Sequence, residues 1–343
     1  MLDGKLANIQ ALRGLAAFAV FVFHSLPYFE AMGLNFELFE TFFSYGYIGV
    51  DIFFIISGLV MAKSTAGLAS NIANASIFLI KRLTRIFMGY WPILLLAIAL
   101  IYIDSANSMS KYDFWGSFFL LNIPPQELVI SASWTLSYEL YFYLFITALL
   151  LSPYLNKIFI MIFFALAVLF VNFYTGNQKQ IFFFSSFILE FLAGYALFYV
   201  FSKIMAIKWL LVFVILGLIS AYLMVFPFYR NEGLERIASV GVFSLVIVYL
   251  VLLFECKYNK IMPAFIQKMG DASYTLYLCH LVLLGLFNSS GLMKLSSSNV
   301  FSLLGYVLLV VSIVFISIVL YFVVEKPLYK CTTRTFLSIF NLK

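Results

Sequence analysis

Two histidines occur in this 343-residue chain, and both lie inside long apolar runs. His24 ends the stretch Leu12-Arg13-Gly14-Leu15-Ala16-Ala17-Phe18-Ala19-Val20-Phe21-Val22-Phe23-His24, and His280 lies within Tyr274-Thr275-Leu276-Tyr277-Leu278-Cys279-His280-Leu281. An ionisable side chain within a membrane span is costly and is a functional candidate by default. A neutral imidazole can take a proton near pH 7, so His24 is a candidate general base. Arg13 lies eleven residues before it. At about 100° per residue the two side chains return to one helix face, roughly 16 Å apart along the axis. A cation near one membrane surface, aligned with a base deeper in, is a layout for chemistry. The plainer readings are a histidine hydrogen-bonded between helices and an arginine that anchors a first span by snorkelling.

A second cluster is Lys81-Arg82-Leu83-Thr84-Arg85-Ile86. Arg82 and Arg85 are three apart and therefore neighbours on a helix. Two guanidiniums there would clamp a phosphate in a fork, or would simply anchor the start of a span on the cytoplasmic side. In Trp134-Thr135-Leu136-Ser137-Tyr138-Glu139 an acid lies about one turn into an apolar run. Such an acid needs a partner; Glu139 would orient His24 or hold an acceptor hydroxyl. Asp51 opens the apolar run Asp51-Ile52-Phe53-Phe54-Ile55-Ile56, and Glu190 sits more centrally in Phe187-Ile188-Leu189-Glu190-Phe191. Each acid also reads as a device for bonding one helix to the next. Three cysteines have no metal-ligand spacing with a histidine, and Cys279 and His280, as helix neighbours, point in different directions. No metal site is expected.

The elements that must position these residues are membrane helices. The chain is 64% hydrophobic and only 10% charged, far below the charge content of soluble domains. Its net charge of +6 is therefore no argument for nucleic acid, because Lys and Arg in membrane proteins mark cytoplasmic loops. Apolar runs of about 20 residues predict spans near 8–27, 47–65, 86–104, 134–151, 156–174, 181–202, 207–226, 236–254, 272–288 and 300–324. The expected fold class is an all-α polytopic bundle of about ten transmembrane helices, with both termini cytoplasmic. Residues 113–122 are too short to cross and read as interfacial or re-entrant. With the N-terminus inside, only Lys111, Lys179, Arg230, Arg236 and Lys294 of the 21 Lys and Arg residues fall outside, the bias that orients such proteins. Residues 1–330 read as one membrane domain and 331–343 as a short basic cytoplasmic tail. The N-terminal run contains Arg13 and His24 and reads as a retained span.

In order along the chain, Gln10-Ala11-Leu12-Arg13-Gly14-Leu15 with His24, Gly49-Val50-Asp51-Ile52-Phe53-Phe54, Lys81-Arg82-Leu83-Thr84-Arg85, Trp134-Thr135-Leu136-Ser137-Tyr138-Glu139, Ser273-Tyr274-Thr275-Leu276-Tyr277-Leu278-Cys279-His280 and Glu325-Lys326-Pro327-Leu328 together resemble the acyltransferase family 3 integral-membrane O-acyltransferases. The Trp-Thr-Leu-Ser-Tyr-Glu form looks most like the exopolysaccharide-modifying branch. The resemblance implies a ten-helix bundle in the inner membrane that moves an acyl group, usually acetyl, from acyl-CoA to a hydroxyl of a polysaccharide or lipid-linked glycan. It implies His24 and Glu139 as catalytic residues and Arg13, Arg82 and Arg85 at the acyl-CoA donor. Asp51, Trp134, Tyr138 and His280 are expected at the acceptor. The glutamate motif carries one acid where the commoner form carries two. A direct transfer and an acyl-histidine intermediate both fit. Other classes remain: a secondary transporter also places His, Asp and Glu in spans, although no internal repeat supports it, and a glycan-assembly scaffold would need none of these groups. Homo-oligomerisation stays open.

Overall fold

The computed structural model describes residues 6–104, 106–152, 156–175, 181–205, 207–225, 233–289 and 299–340. Among them there is no strand, and the chain is an all-α polytopic membrane protein. The helices are α1 (Ala7–Ala31), α2 (Glu37–Phe43), α3 (Ile48–Thr65), α4 (Ile72–Asp104), α5 (Phe114–Phe119), α6 (Trp134–Leu151), α7 (Lys157–Thr175), α8 (Phe187–Ile204), α9 (Ile207–Leu223), α10 (Leu234–Arg236), α11 (Val242–Tyr258), α12 (Ala264–Asp271), α13 (Ser273–Ser289), α14 (Asn299–Leu320) and α15 (Lys326–Ile339).

Eight helical stretches are long and apolar enough to cross a membrane, and α12 with α13, bent by 66°, makes a ninth if counted as one span. The tenth expected span, 207–226, contains the 17-residue α9, short of the others, and its last position lies outside the described residues. Length alone supports the crossing assignment, since about 20 helical residues match the hydrocarbon thickness. Composition supports it as well. On α7, Phe170 and Phe173 are 69% and 84% exposed, and Val168 is the one residue of that helix recorded as buried. A helix apolar on its exposed side has lipid as its solvent.

Three boundaries differ from the sequence expectation. α4 starts at Ile72, well before residue 86, so Arg82 and Arg85 lie inside a 33-residue helix. The sequence placed them as helix neighbours at the start of a span; the structure sets them further inside the helix, where Arg85 pairs with Glu325. α1 runs on past Pro27 to Ala31. The expected tail is mostly helix: α15 runs to Ile339, and Thr333 and Thr332 bond Thr84 and Met88 of α4. Residues 113–122 are indeed too short to cross. They form α5, capped by Asp113, whose carboxylate accepts from the Gly116 backbone N–H at 2.8 Å, and closed by Leu120 at φ 55°.

The described helices group into two compact units. One contains the chain up to Arg13 with Val50–Leu79 and Tyr138–Gln267. Within it α3 and α8 cross closely at two glycines: a methyl group on Gly58 would overlap the Phe191 carbonyl, and one on Gly194 would overlap the Ile55 carbonyl. Small residues at such crossings are how membrane helices gain packing without a hydrophobic drive between them. Aromatic rings fill the rest, with Phe54, Phe142 and Phe191 in mutual contact and Phe213 stacked on Tyr249 at 3.9 Å. The other unit contains Gly14–Gly49, Ile80–Ser137 and the chain from Lys268 onward. There Gly46 and Gly49 press against the Ala19 and Ala16 carbonyls of α1. α13 packs along α14, where Cys279 bonds Ser317 at 3.1 Å.

Candidate active site

The two histidines, 256 residues apart in sequence, meet. His24 projects from α1 and His280 from α13, with Nδ1 of His24 3.2 Å from Nε2 of His280. Each Nδ1 also faces the carbonyl one helical turn before it: His24 with Val20 at 3.0 Å, His280 with Leu276 at 3.2 Å. Phe21 and Tyr277 stand edge-on or tilted against the His280 ring, and Phe23 against His24. His280 is fully buried, whereas His24 keeps part of its surface exposed. His280, expected at the acceptor, is placed beside His24. Both its ring nitrogens are bonded inside the protein.

α13 carries a second polar contact, five residues back. Thr275 donates to Glu325, and the same carboxylate takes Arg85 of α4 as an ion pair. Arg85 lies over the rings of Tyr274 and Tyr329, and the Tyr274 hydroxyl donates to the Ile86 carbonyl at 2.8 Å. Five residues at 1.5 Å set Thr275 and His280 about 7–8 Å apart along the α13 axis. One helix therefore spaces the arginine cluster from the histidine pair. Glu325 was quoted from the sequence only as part of a motif; its role as counter-ion to Arg85 was missed. The available signal was an acid closing the apolar run Tyr321-Phe322-Val323-Val324, which must find a partner. It ends a π-helical turn, Tyr321–Glu325, a distortion that often re-aims a side chain at a functional position. Arg82 is partly exposed on the same helix as Arg85.

Glu139 has different neighbours from those expected. Its carboxylate accepts from Ser57 at 2.9 Å and from Tyr143. Tyr138 is buried among Phe54, Phe182 and Phe187 as a packing residue. Trp134 is partly exposed at the start of α6. Arg13 is partly exposed on α1 and reaches Gln10 at 3.3 Å.

Asp51, expected at the acceptor, is placed against Arg236. It is fully buried, and both its oxygens take Arg236, Oδ1 from Nε at 2.9 Å and Oδ2 from Nη2 at 2.6 Å. Arg236 was expected among the outer-loop charges; it is 9% exposed, stands over the Phe187 ring, and precedes the π-helical turn Ile237–Gly241. The loop charges Lys5, Lys179, Arg230, Lys294 and Lys343 lie outside the described residues. Glu190 faces Asp51, acid against acid: as a carboxylate it has no donor among the described residues, and only as an acid would it bond Asp51. Gly241 leaves room for that carboxylate: a methyl there would stand 2.9 Å from Oε1.

Among the described residues no three His, Cys, Asp or Glu side chains gather as a metal site would require. A groove of about 640 Å³ opens beside α13, lined mostly by aliphatic residues such as Leu100, Val129 and Leu281. Neither histidine lines it.

The histidine pair inside a bundle of apolar helices, with an arginine cluster spaced from it by one helix, is the candidate site. The profile of the acyltransferase family 3, described as an acyltransferase domain, matches residues 6–322, and the chain belongs to that family: it is a multi-pass membrane acyltransferase. Comparison with curated proteins and with solved structures gave no match.

Proposed function

We propose that this protein is an O-acyltransferase of the cell's inner membrane. It moves an acyl group, acetyl by preference, from acyl-CoA to a hydroxyl of a cell-surface polysaccharide or a lipid-linked glycan. The observation that carries the reading is the His24 ring, its Nδ1 edge facing His280 and Val20, on a residue that is only partly buried. A base so placed serves a hydroxyl nucleophile.

In the proposed reaction Nε2 of His24 takes the proton of the acceptor hydroxyl as its oxygen attacks the thioester carbonyl. The new C–O bond forms, the C–S bond breaks, and the proton passes from His24 to the departing thiolate. Arg82 and Arg85 hold the phosphates of the coenzyme, where guanidinium geometry suits phosphate oxygens. Arg13, on the same helix as His24, joins in placing the donor. The cytoplasmic location of both termini follows from the charge bias of the loops and puts the arginine cluster of α4 on the side where acyl-CoA is made. No step is assigned to Glu139, whose partners are Ser57 and Tyr143.

The test is transfer of labelled acetyl from acetyl-CoA in membranes containing wild-type or His24→Ala protein at equal abundance, with the acetyl content of the surface glycan read by mass spectrometry. Activity should fall to background, and each modified sugar should lose one acetyl increment. Undiminished transfer by His24→Ala would end the assignment.

A further inference from the structure

His280 faces His24 with no charged partner of its own, and the carbonyls around the pair decide where its protons lie. A carbonyl oxygen only accepts, so the ring nitrogen 3.2 Å from the Leu276 carbonyl, Nδ1 of His280, carries a hydrogen. In the neutral ring the other nitrogen is then an unprotonated acceptor. That nitrogen, Nε2, is the one facing His24. Nδ1 of His24 meets two acceptors, the Val20 carbonyl at 3.0 Å and this lone pair at 3.2 Å, and so it carries the hydrogen. The proton of a neutral His24 is thereby held on Nδ1, and Nε2 is left with its lone pair. Nothing among the described residues bonds Nε2 of His24.

We propose that His280 is a positioning residue: resting on His24 as the general base proposed above, it holds that base in its Nδ1–H tautomer and keeps Nε2 ready for the acceptor hydroxyl. When Nε2 takes the hydroxyl proton, the imidazolium still donates through Nδ1 to the Val20 carbonyl and to the His280 lone pair. His280 gains no proton and loses none. The arrangement does with a neutral ring what a carboxylate does behind the histidine of a hydrolytic triad, namely fix the tautomer and orientation and accept from the imidazolium. A neutral orienter suits this place, because a second charge buried in a span would need its own counter-ion. Among the described residues no carboxylate bonds His280, and its other nitrogen is already committed to Leu276.

The chain contains only two histidines, which makes the proposal directly readable. Protein labelled with ¹⁵N-histidine, purified through a histidine-free tag and placed in lipid nanodiscs, should give two neutral rings with the proton on Nδ1, the less common form of free histidine in water. His280→Gln leaves one ring and assigns the pair. The kinetic arm compares His280→Leu with His280→Gln, whose amide oxygen offers an acceptor near the place of Nε2. His280→Leu should lower kcat about a hundredfold, the low end of what a positioned base supplies, with KM for acyl-CoA unchanged. His280→Gln should restore most of it. A His24 ring protonated on Nε2 in the wild-type protein, or a His280→Leu variant with wild-type kcat, overturns the proposal. Should the wild-type protein transfer no acyl group at all, the functional reading fails, while the labelled spectrum still decides the tautomer.

Discussion

The buried cluster of Asp51, Glu190 and Arg236 makes a prediction with two signs. Arg236→Met removes the guanidinium that bonds both oxygens of Asp51, which is fully buried, while Glu190, 2% exposed, stands against the same carboxylate. Breaking a buried ion pair by deleting one partner costs about 3–5 kcal/mol. The upper part of that range applies here, since two acids share one cation and neither can turn toward water. Such a loss is a large share of the 5–15 kcal/mol typical of whole proteins, so the variant should yield little folded protein. Glu190→Gln should act in the opposite sense. It removes an acid that as a carboxylate has no donor among the described residues and supplies an amide that can donate to Asp51, a hydrogen bond to a charged group worth about 1.5–3 kcal/mol before the cost of ordering it. Its stability should equal or exceed wild type, and Glu190→Gln should rescue part of the Arg236→Met defect. Unfolding in mixed micelles, followed by the fluorescence of the four tryptophans, measures each variant. The reasoning fails if Arg236→Met unfolds at the wild-type midpoint, or if Glu190→Gln is as unstable as Arg236→Met.

Two further outcomes follow from the other unit. Glu325→Gln frees Arg85 from its ion pair and weakens the Thr275 contact; on the proposed donor role, KM for acyl-CoA should rise several-fold with a smaller change in kcat, and an unaltered KM would separate Arg85 from donor binding. Cys331 is exposed on α15 while Cys279 is buried against Ser317. A membrane-impermeant maleimide should therefore label Cys331 in inverted vesicles, should leave Cys279 untouched, and should miss Cys331 in intact cells. Labelling of Cys331 from outside would reverse the proposed orientation.

Much of the architecture was legible because the bilayer imposes it. A run of about 20 apolar residues can do little else than cross, and each expected span has a helix within it. What the apolar pattern could not show was any contact between distant segments. Arg236 looked like a loop charge because a cation beside a hydrophobic run reads as an anchor; only the approach of α3 reveals Asp51 as its partner. The early start of α4 was hidden for the same reason, since Lys81, Arg82 and Arg85 read as the anchor at the start of a span until Glu325 arrives from the far end of the chain. Within the site, His24 was singled out by its place in the run, but the residue that bonds it was assigned to the substrate. Nothing local in Tyr277-Leu278-Cys279-His280 points at α1.

The polar groups of the membrane interior can be sorted by asking what each still lacks. Asp51 and Arg236 complete each other, as do Arg85 and Glu325 with Thr275, and His280 has both nitrogens bonded. Matched groups of this kind hold helices together. Among the ionisable groups of the described residues, the carboxylate of Glu190 and Nε2 of His24 have no donor from the protein. Burial separates them. Glu190 is 2% exposed and walled by Gly241 and Asp51, so nothing larger than a proton or a small ion can answer it. His24 is only partly buried. On the proposed reading its Nε2 lone pair is the one that the acceptor hydroxyl meets, which is the task of a general base.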